Sequence, residues 1–395
     1  MDFDDFTLVA ALYDFKGPQR GTRPARHFEG LNCQEKQLEA PTQLLTMERG
    51  LRPELWDVTN AYKPESRVHS ECNGSEVLPC VRLAMPLNAK LLLCNVMAAL
   101  TLPLCAQDLA PRAYVITPTD FNAITLTGSF YSGGVDFNGA VPITGATGTF
   151  SAPTFSYYHS FNFFGRSANI VTSLPYGVGT FQGNVNQQVH SIYRSGLMDV
   201  GGRFSVNLMG GPAMPLQKFA KWKQRVLVGT SLKIIAPTGQ YEPTKIVNWG
   251  IHRWAFKPEF GYSERWGNWL LDAYVGGWFY TTNSASYDTP VPKPQTESPI
   301  GSLEVHLSRD FRSGTWVSLD SNFWWGGVTT LNGIQNLATK QTGSRVGATA
   351  AWRFSKHQSV KVSYSDGTYI RFGGNYQSLQ VAWQYSWLGW FKRSQ

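Results

Sequence analysis

The stretch LEVHLSRDF (303–311) decides the fold of this chain. Its apolar residues Leu303, Val305 and Leu307 alternate strictly with polar ones such as Glu304. Successive side chains of a β-strand point to opposite faces, so strict alternation gives one apolar face and one polar face. The stretch therefore predicts a two-sided β-strand.

The same period of two recurs along most of the chain after residue 107. In 344–354 and 377–387, valine, leucine and aromatic residues again occupy every second position. Segments of this kind number about twelve and lie near 121–132, 153–163, 167–177, 199–208, 225–236, 252–263, 268–281, 299–310, 314–325, 344–354, 358–366 and 376–388. The repetition predicts an all-β antiparallel architecture.

The connections between these segments alternate in length. Short connections are predicted at 165–166, 264–267, 312–313 and 355–357, and long loops near 133–152, 178–198, 237–251, 282–298, 326–343 and 367–375. The connection 209–224 departs from this alternation, because PLQKFAKWK (215–223) within it predicts one or two helical turns. Short turns at one end, long loops at the other and an even number of strands are typical of a bacterial outer-membrane barrel.

A soluble β-sandwich or barrel would also alternate, so the position of the aromatic residues decides between the two. Tryptophan and tyrosine concentrate at bilayer interfaces, because their rings are apolar and their N–H or O–H group hydrogen-bonds to water. The apolar faces carry aromatic residues at the strand ends, namely Trp254, Tyr262, Trp269, Phe279, Trp325, Trp352, Phe354 and Trp387. We therefore expect an antiparallel transmembrane β-barrel in the bacterial outer membrane, with lipid around its outer face.

A targeting segment precedes the alternating region. MPLNAKLLLCNVMAALTLPLCAQ (85–107) has a lysine, then an apolar run, then the small residue Ala106. This order is typical of a secretory signal, and the run is shorter than the roughly 20 residues that a transmembrane helix needs. A buried core helix is the alternative. We expect cleavage after Ala106.

Composition changes at the same place. All five cysteines lie at or before Cys105, whereas thirteen of the fourteen tryptophans follow it. A long segment without thiols suits an oxidising compartment. The prediction is an unstructured or non-native extension (1–84), a signal peptide (85–106) and an outer-membrane β-barrel (107–395).

Three runs within the barrel region resemble a known family. They are SGLMDVGGRFSVNLMGGPA (195–213), VGTSLKIIAPTGQY (228–241) and VNWGIHRWAFKPEFGYS (247–263). They resemble a family of outer-membrane proteins associated with the meta-pathway of phenol degradation, and the resemblance covers roughly 115–388. It implies an outer-membrane barrel that passes small, often aromatic compounds. It supplies no binding motif, so no functional residue is carried over.

The polar face of the strands predicts which side chains line the lumen. The charged and titratable candidates for lining and selectivity are Arg203, Lys233, Arg253, Lys257, Glu259, Asp272, Glu304, His306, Asp320, Arg345, Arg353 and Lys361. The acids gather on neighbouring strands between strands rich in bases, which predicts an acidic stripe flanked by basic ones. Two interpretations remain open: a paired internal network, or a transverse field that orients solutes. The surplus of bases favours anions or neutral polar aromatics over cations.

Catalysis is not expected. His306 and Ser308 share one strand face about 7 Å apart, too far for direct activation of a nucleophile. The histidines and cysteines form no metal-ligand spacing, so no metal or cofactor is predicted. The bases are spread along strand interiors rather than gathered in a patch, which argues against nucleic acid as a partner.

Two functions are consistent with these features. The first is a channel or transporter that lets small, possibly aromatic or hydrophobic solutes diffuse through the lumen. The second is a structural or adhesive barrel whose long surface loops bind partners. Loops such as TNSASYDTPVPKP (282–294) fit either function. Electrical conductance in a bilayer distinguishes the two, since a plugged adhesin passes no current.

Overall fold

The computed structural model describes residues 109–136, 143–185, 187–287, 291–311 and 314–389. The predicted extension (1–84) and signal peptide (85–106) lie outside these residues. β-strands dominate the described chain. None of its helices has the length and apolar character needed to cross a bilayer.

Most strands follow one another closely, and the connections 210–225 and 237–254 are longer. In chain order they are β1 (Phe121–Asp136), β2 (Ile143–Ser151), β3 (Thr154–Phe163), β4 (Arg166–Val185), β5 (Gln188–Leu197), β6 (Val200–Met209), β7 (Val226–Ala236), β8 (Ala255–Trp266), β9 (Trp269–Tyr280), β10 (Asn283–Ser286), β11 (Lys293–Glu297), β12 (Ile300–Asp310), β13 (Trp316–Gly326), β14 (Thr329–Leu331), β15 (Ile334–Asn336), β16 (Gln341–Arg353), β17 (Gln358–Ile370) and β18 (Gly373–Leu388). One helical turn, α1 (Leu216–Phe219), lies between β6 and β7, and a 3-10 turn (Leu337–Thr339) precedes β16.

The main sheet closes on itself. β1 pairs antiparallel with β18 along its whole length, from Phe121 opposite Leu388 to Asp136 opposite Gly373. β2 and β3 together occupy one position in the wall, since both pair with β1, and β5 and β6 together occupy another beside β4. The result is the closed antiparallel barrel with twelve strand positions that the sequence predicted.

The two ends of the barrel differ, as expected. Two-residue turns join β3 to β4 and β8 to β9, and short connections join β12 to β13 and β16 to β17. In the first of these turns Phe164 and Gly165 both have positive φ (50° and 81°), as the tight turns that match strand twist require. Because short turns face the periplasm in outer-membrane barrels, we define this as the periplasmic end, where β1 also begins and β18 ends.

The prediction of a long loop is wrong at three places. The described residues of 133–152, 178–198 and 367–375 are mostly strand, because β1, β2, β4, β5, β17 and β18 extend past the neighbouring strands as hairpins. Alternation marks strand residues that have lipid on one face and the barrel interior on the other. Beyond the bilayer both faces meet water, so strand residues there lose the alternating pattern.

Two other long connections at the extracellular end carry a small sheet of their own. β10, β11, β14 and β15 form a separate four-stranded sheet, in that order. β10 and β11 come from the connection after β9, and β14 and β15 from the connection after β13. The helical turn predicted between 209 and 224 is confirmed at α1, where Phe219 is buried.

The outer surface of the barrel is apolar and aromatic. Leu303, Val317 and Leu319 are 38%, 41% and 68% exposed, although leucine and valine are usually buried. The aromatic residues predicted to lie at the membrane interface, such as Trp325 and Trp352, are also exposed. A surface of this kind suits contact with lipid, and it confirms the expected outer-membrane barrel.

Candidate functional site

Eleven of the twelve side chains that the sequence predicted to line the lumen lie on the inner face of barrel strands. Arg203, Lys233, Lys257, Glu259, Asp272, Glu304, His306, Asp320 and Arg345 are buried on the inner face of barrel strands. Arg353 and Lys361 lie on the inner face of β16 and β17 and are partly exposed. Arg253 is buried too but lies in the connection 237–254, ahead of β8, rather than on a strand.

Arg253 belongs to the extracellular end of the barrel. Its guanidinium forms an ion pair with Glu297 of β11 and stacks over the ring of Tyr280, 4.3 Å from the ring centroid. Burial raises the pKa of the Glu297 carboxyl, although the neighbouring guanidinium opposes that rise. Arg253 therefore joins the small extracellular sheet to the barrel wall.

Four of the inward charges form a continuous row about halfway along the barrel, which we call the ionic row. The ammonium of Lys257 lies 2.8 Å from Glu259 and 2.8 Å from Glu304. Glu259 also lies 3.9 Å from Arg203 on β6. These contacts link every second strand of the wall, from β6 to β8 to β12, so the row runs along one side of the barrel interior.

The row continues on the side of β12 and β13. Nδ1 of His306 lies 2.9 Å from Asp320, and its Nε2 lies 3.5 Å from Glu304. Asp320 also accepts hydrogen bonds from the hydroxyls of Ser318 (2.6 Å) and Thr349 (2.7 Å). Both ring nitrogens of His306 thus lie near carboxylates, and its ring also lies 5.3 Å from that of Tyr274, which is typical of a network member. No group of three or more potential metal ligands occurs among the described residues.

A segment whose position alternation did not predict lies in the lumen beside this row. Residues 109–120, here called the N-terminal segment, precede β1 and run within the lumen. Leu109, Arg112, Tyr114 and Ile116 are each less than 10% exposed. The segment has no periodic pattern, so its position could not be predicted from alternation.

The N-terminal segment is held by specific contacts to the barrel wall. The backbone N–H of Arg112 donates to Asp272 (3.2 Å), and that of Ala113 donates to the Tyr274 hydroxyl (3.0 Å). The Arg112 guanidinium pairs with Asp310 at 2.7 Å and stacks on Trp316 at 4.3 Å. Through these bonds, buried polar groups of the barrel wall are paired with groups of the N-terminal segment.

Tyr114 makes several contacts with the wall. Its hydroxyl lies 3.0 Å from both the Ser231 hydroxyl and a carboxylate oxygen of Glu259. Its ring lies against Gly229 and Gly261, which are paired residues of β7 and β8. A Cβ on either glycine would approach the Tyr114 ring to 2.3 Å or 2.1 Å, well inside van der Waals contact. The two inward glycines are the sequence signal for this contact, because an inner wall position without a side chain leaves room for a ring.

The extracellular half of the lumen contains an aromatic layer. Tyr131 and Phe150 stack with their ring centroids 4.5 Å apart. Phe181 and Trp249 lie 5.9 Å and 5.7 Å from Phe150, and Tyr376 packs edge-on against Tyr131. Trp249 comes from the connection 237–254, so this loop folds into the mouth of the barrel.

Asp199 fixes the loop in that position. It lies between β5 and β6, and its carboxylate accepts backbone hydrogen bonds from Gly239 and Ile251, both 2.7 Å long. These donors come from the two halves of the connection 237–254. Burial raises the pKa of the Asp199 carboxyl above its usual value, although the backbone donors act against that change.

A wide cavity lies at the periplasmic end. We call it the periplasmic vestibule. Its volume is about 730 Å³, and its lining comes from the N-terminal segment, from 219–225 of the connection between β6 and β7, and from residues near 265–268, 310–311 and 314–316. Near the ionic row, by contrast, the cavity between Ala110, Lys233 and Glu304 holds only about 10 Å³. The interior therefore narrows sharply between the vestibule and the ionic row.

Comparison with known proteins gives the family. The family model described as putative MetA-pathway of phenol degradation matches residues 132–387. No curated protein sequence matches the chain.

Solved structures show the same architecture. An outer membrane channel from Pseudomonas putida F1 is 14% identical and superposes with a TM-score of 0.59, over 71% of this chain and 100% of that one. The β-domain of the Bordetella autotransporter BrkA is 15% identical, with a TM-score of 0.42 over 68% of this chain and 100% of that one. The first likeness supports the barrel fold. With its family match over most of the barrel, the chain belongs to the putative MetA-pathway of phenol degradation family.

Proposed function

We propose that the barrel is an outer-membrane channel for small solutes, including aromatic and hydrophobic compounds, which diffuse through its lumen. The single observation that carries this proposal is the row of charged side chains inside a closed barrel that also holds a vestibule of about 730 Å³ at its periplasmic end. A purely structural barrel has no need of charged groups in its interior, because buried charges are costly even when paired. The match to the family described as putative MetA-pathway of phenol degradation supports an aromatic solute.

Two groups among the predicted residues have separate roles in this proposal. The row from Arg203 to Asp320 sets the electrostatic field at the narrowest level, through Lys257 and Glu304 in its centre. Arg353 and Lys361, nearer the periplasmic end, add positive charge below it. The N-terminal segment narrows the lumen beside the row, so its contacts with Asp272, Tyr274 and Glu259 control how wide the pathway is.

The experiment is reconstitution of the full chain in planar bilayers and in liposomes. We expect discrete current steps in the bilayer, and entry of phenol into liposomes that exceeds the rate in protein-free liposomes. The matched comparison is Lys257→Gln, which changes the row, against Lys245→Gln, which changes an exposed loop residue. A barrel that passes neither ions nor phenol would contradict the proposal.

A second candidate is a structural or adhesive barrel. The observation that favours it is the dense packing of the central layer, where Trp278 and Trp324 are 0% and 1% exposed beside the ionic row. The small sheet formed by β10, β11, β14 and β15 could then present a binding surface. The same bilayer recording separates the two candidates, because a packed structural barrel gives no current steps.

A further inference from the structure

The connection between β6 and β7 combines aromatic anchors with exposed bases. Phe219 is buried in the cluster that also holds Met214 and Leu227, and Trp222 packs against the same cluster. Lys221, Lys223 and Arg225 of this connection are exposed. The aromatic anchors thus hold the basic side chains in place at the periplasmic end of the barrel.

These bases line the periplasmic vestibule. Arg112 and Arg265 join them in the lining, whereas Asp310 is the one acid among the lining residues that the structure describes. Asp310 is already engaged by both Arg112 and Arg265. Five bases against one acid give the described lining a formal charge of about +4.

The vestibule also offers aromatic surface. Trp222 and Phe311 line it, and Trp222 is partly exposed whereas Phe311 is 49% exposed. Trp316 also lines it, under the Arg112 guanidinium. Its 730 Å³ falls within the roughly 300–1,000 Å³ typical of small-molecule sites. A concave site with cationic groups and exposed rings is complementary to a small molecule that has an aromatic ring and a negative charge.

We propose that the periplasmic vestibule is a binding site for aromatic carboxylates. Lys221, Lys223 and Arg225 attract the carboxylate, and Trp222 and Phe311 contact the ring. This inference rests on the proposed function, because it names the solute class that the channel holds at its periplasmic exit. A site of positive charge there raises the local concentration of organic anions.

Binding of benzoate to the full chain in nanodiscs of zwitterionic lipid tests the proposal by calorimetry. The probes are benzoate, its neutral relative benzamide, and acetate, which has the charge without the ring. We expect benzoate to bind more tightly than either. Equal binding of benzoate and benzamide would overturn the role of the charge, and equal binding of benzoate and acetate would overturn that of the ring.

The variants separate the vestibule from general surface charge. In Lys221→Gln with Lys223→Gln, we expect the dissociation constant for benzoate to rise about tenfold, as expected for the loss of two partly screened charge contacts. Lys218→Gln is the control, because Lys218 is exposed on the same connection but does not line the vestibule. Equal weakening by Lys218→Gln would contradict the proposed site.

The ring contact has its own variant. Trp222→Leu keeps an apolar anchor but removes the aromatic surface, so it should weaken benzoate and leave acetate unchanged. If benzoate and acetate weaken equally, the ring is not recognised and the proposal fails.

An anionic lipid headgroup is the competing occupant of these bases. Benzoate binding is therefore repeated in nanodiscs that contain phosphatidylglycerol. Loss of benzoate binding to wild type in those nanodiscs, together with weaker lipid association of the double variant, would assign the bases to lipid and overturn the proposal. Conductance and phenol entry of the same preparations report on the channel separately. A conducting barrel that does not bind benzoate contradicts only the vestibule site, whereas a non-conducting barrel that binds it contradicts only the channel.

Discussion

Tyr114 lies so close to Gly261 that a Cβ on the glycine would be 2.1 Å from Cε2 of the ring. The N-terminal segment therefore rests on the wall of the barrel at a position that excludes every side chain. Gly229 makes the same kind of contact from the neighbouring strand. The position of the segment in the lumen thus depends on two residues of the wall that have no side chain.

Gly261→Ala should displace the Tyr114 ring. Overpacking of a fitted interior site costs about 1–3 kcal/mol, so we expect a lower free energy of unfolding together with a larger single-channel conductance. Gly202→Ala is the control, because a Cβ on Gly202 would meet one backbone oxygen at 4.0 Å. Unfolding in urea and bilayer recordings measure the two effects. Unchanged conductance in Gly261→Ala would mean that the segment does not narrow the pathway.

The two faces of β12 predict opposite responses to charge. Val305 lies on the outer face of β12, and Glu304, 1% exposed, points inward. Val305→Arg should cost roughly 2–4 kcal/mol, because it places a charge against lipid near the bilayer midplane. Val305→Ile is the control that keeps the outer face apolar. Folding yield in lipid vesicles and urea unfolding measure the cost, and a variant as stable as wild type would place Val305 away from the hydrocarbon.

The ionic row predicts ion selectivity. Glu304→Gln combined with Asp320→Asn removes negative charge beside Lys257 and His306, so the barrel should become more selective for anions. Lys257→Gln should shift selectivity toward cations, because it leaves Glu259 and Glu304 without the ammonium that lies 2.8 Å from each. Reversal potentials under a salt gradient measure both changes. Coulomb energies of about 1–4 kcal/mol at such separations would change permeability ratios several-fold. If neither variant alters the reversal potential, the row is a structural network only.

Asp199 predicts a pH dependence of stability. Because burial raises its pKa, the native state takes up this proton more readily than the unfolded chain. The contribution of Asp199 to stability should therefore become more favourable as pH falls through its raised pKa, until the unfolded carboxyl also protonates near 3.8. We expect the stability difference between wild type and Asp199→Asn to grow in favour of wild type as pH is lowered from neutral.

Glu242 on the same connection supplies a control of opposite sign. It is exposed, and its hydrogen bond with Lys245 lowers its pKa. Its contribution is present above the unfolded pKa and declines as pH falls through the lowered value. Urea unfolding of Asp199→Asn and Glu242→Gln across the same pH range measures both. A difference between wild type and Asp199→Asn that does not vary with pH would contradict the assignment.

The sequence predicted the barrel because lipid and the interior impose opposite demands on neighbouring residues. This contrast places Val305 and Glu304 on their faces, and it identifies all twelve strand positions. The contrast ends where the bilayer ends, which is why alternation predicts a loop where β4 and β5 form an extended hairpin.

Contacts inside the lumen were harder to predict. Lys257 meets Glu304 from two strands away, and the parity of a strand reports its face but not the distance across a barrel. The position of Tyr114 was also beyond the pattern, because the N-terminal segment pairs with no strand and has no period. Only Gly229 and Gly261 signalled it, as inner positions that lack a side chain.

The pairing of β1 with β18 has a consequence for biosynthesis. The first strand to be made finds its partner only when the last strand, 373–388, has been synthesised. Until then β1 and the newest strand each present a row of unpaired backbone groups, which invites pairing with other chains. A premature stop codon anywhere before residue 373 therefore yields an open sheet with two unpaired edge strands rather than a smaller barrel. Such fragments should aggregate in the periplasm, and cells should depend on chaperones that cover both edges until the final strand arrives.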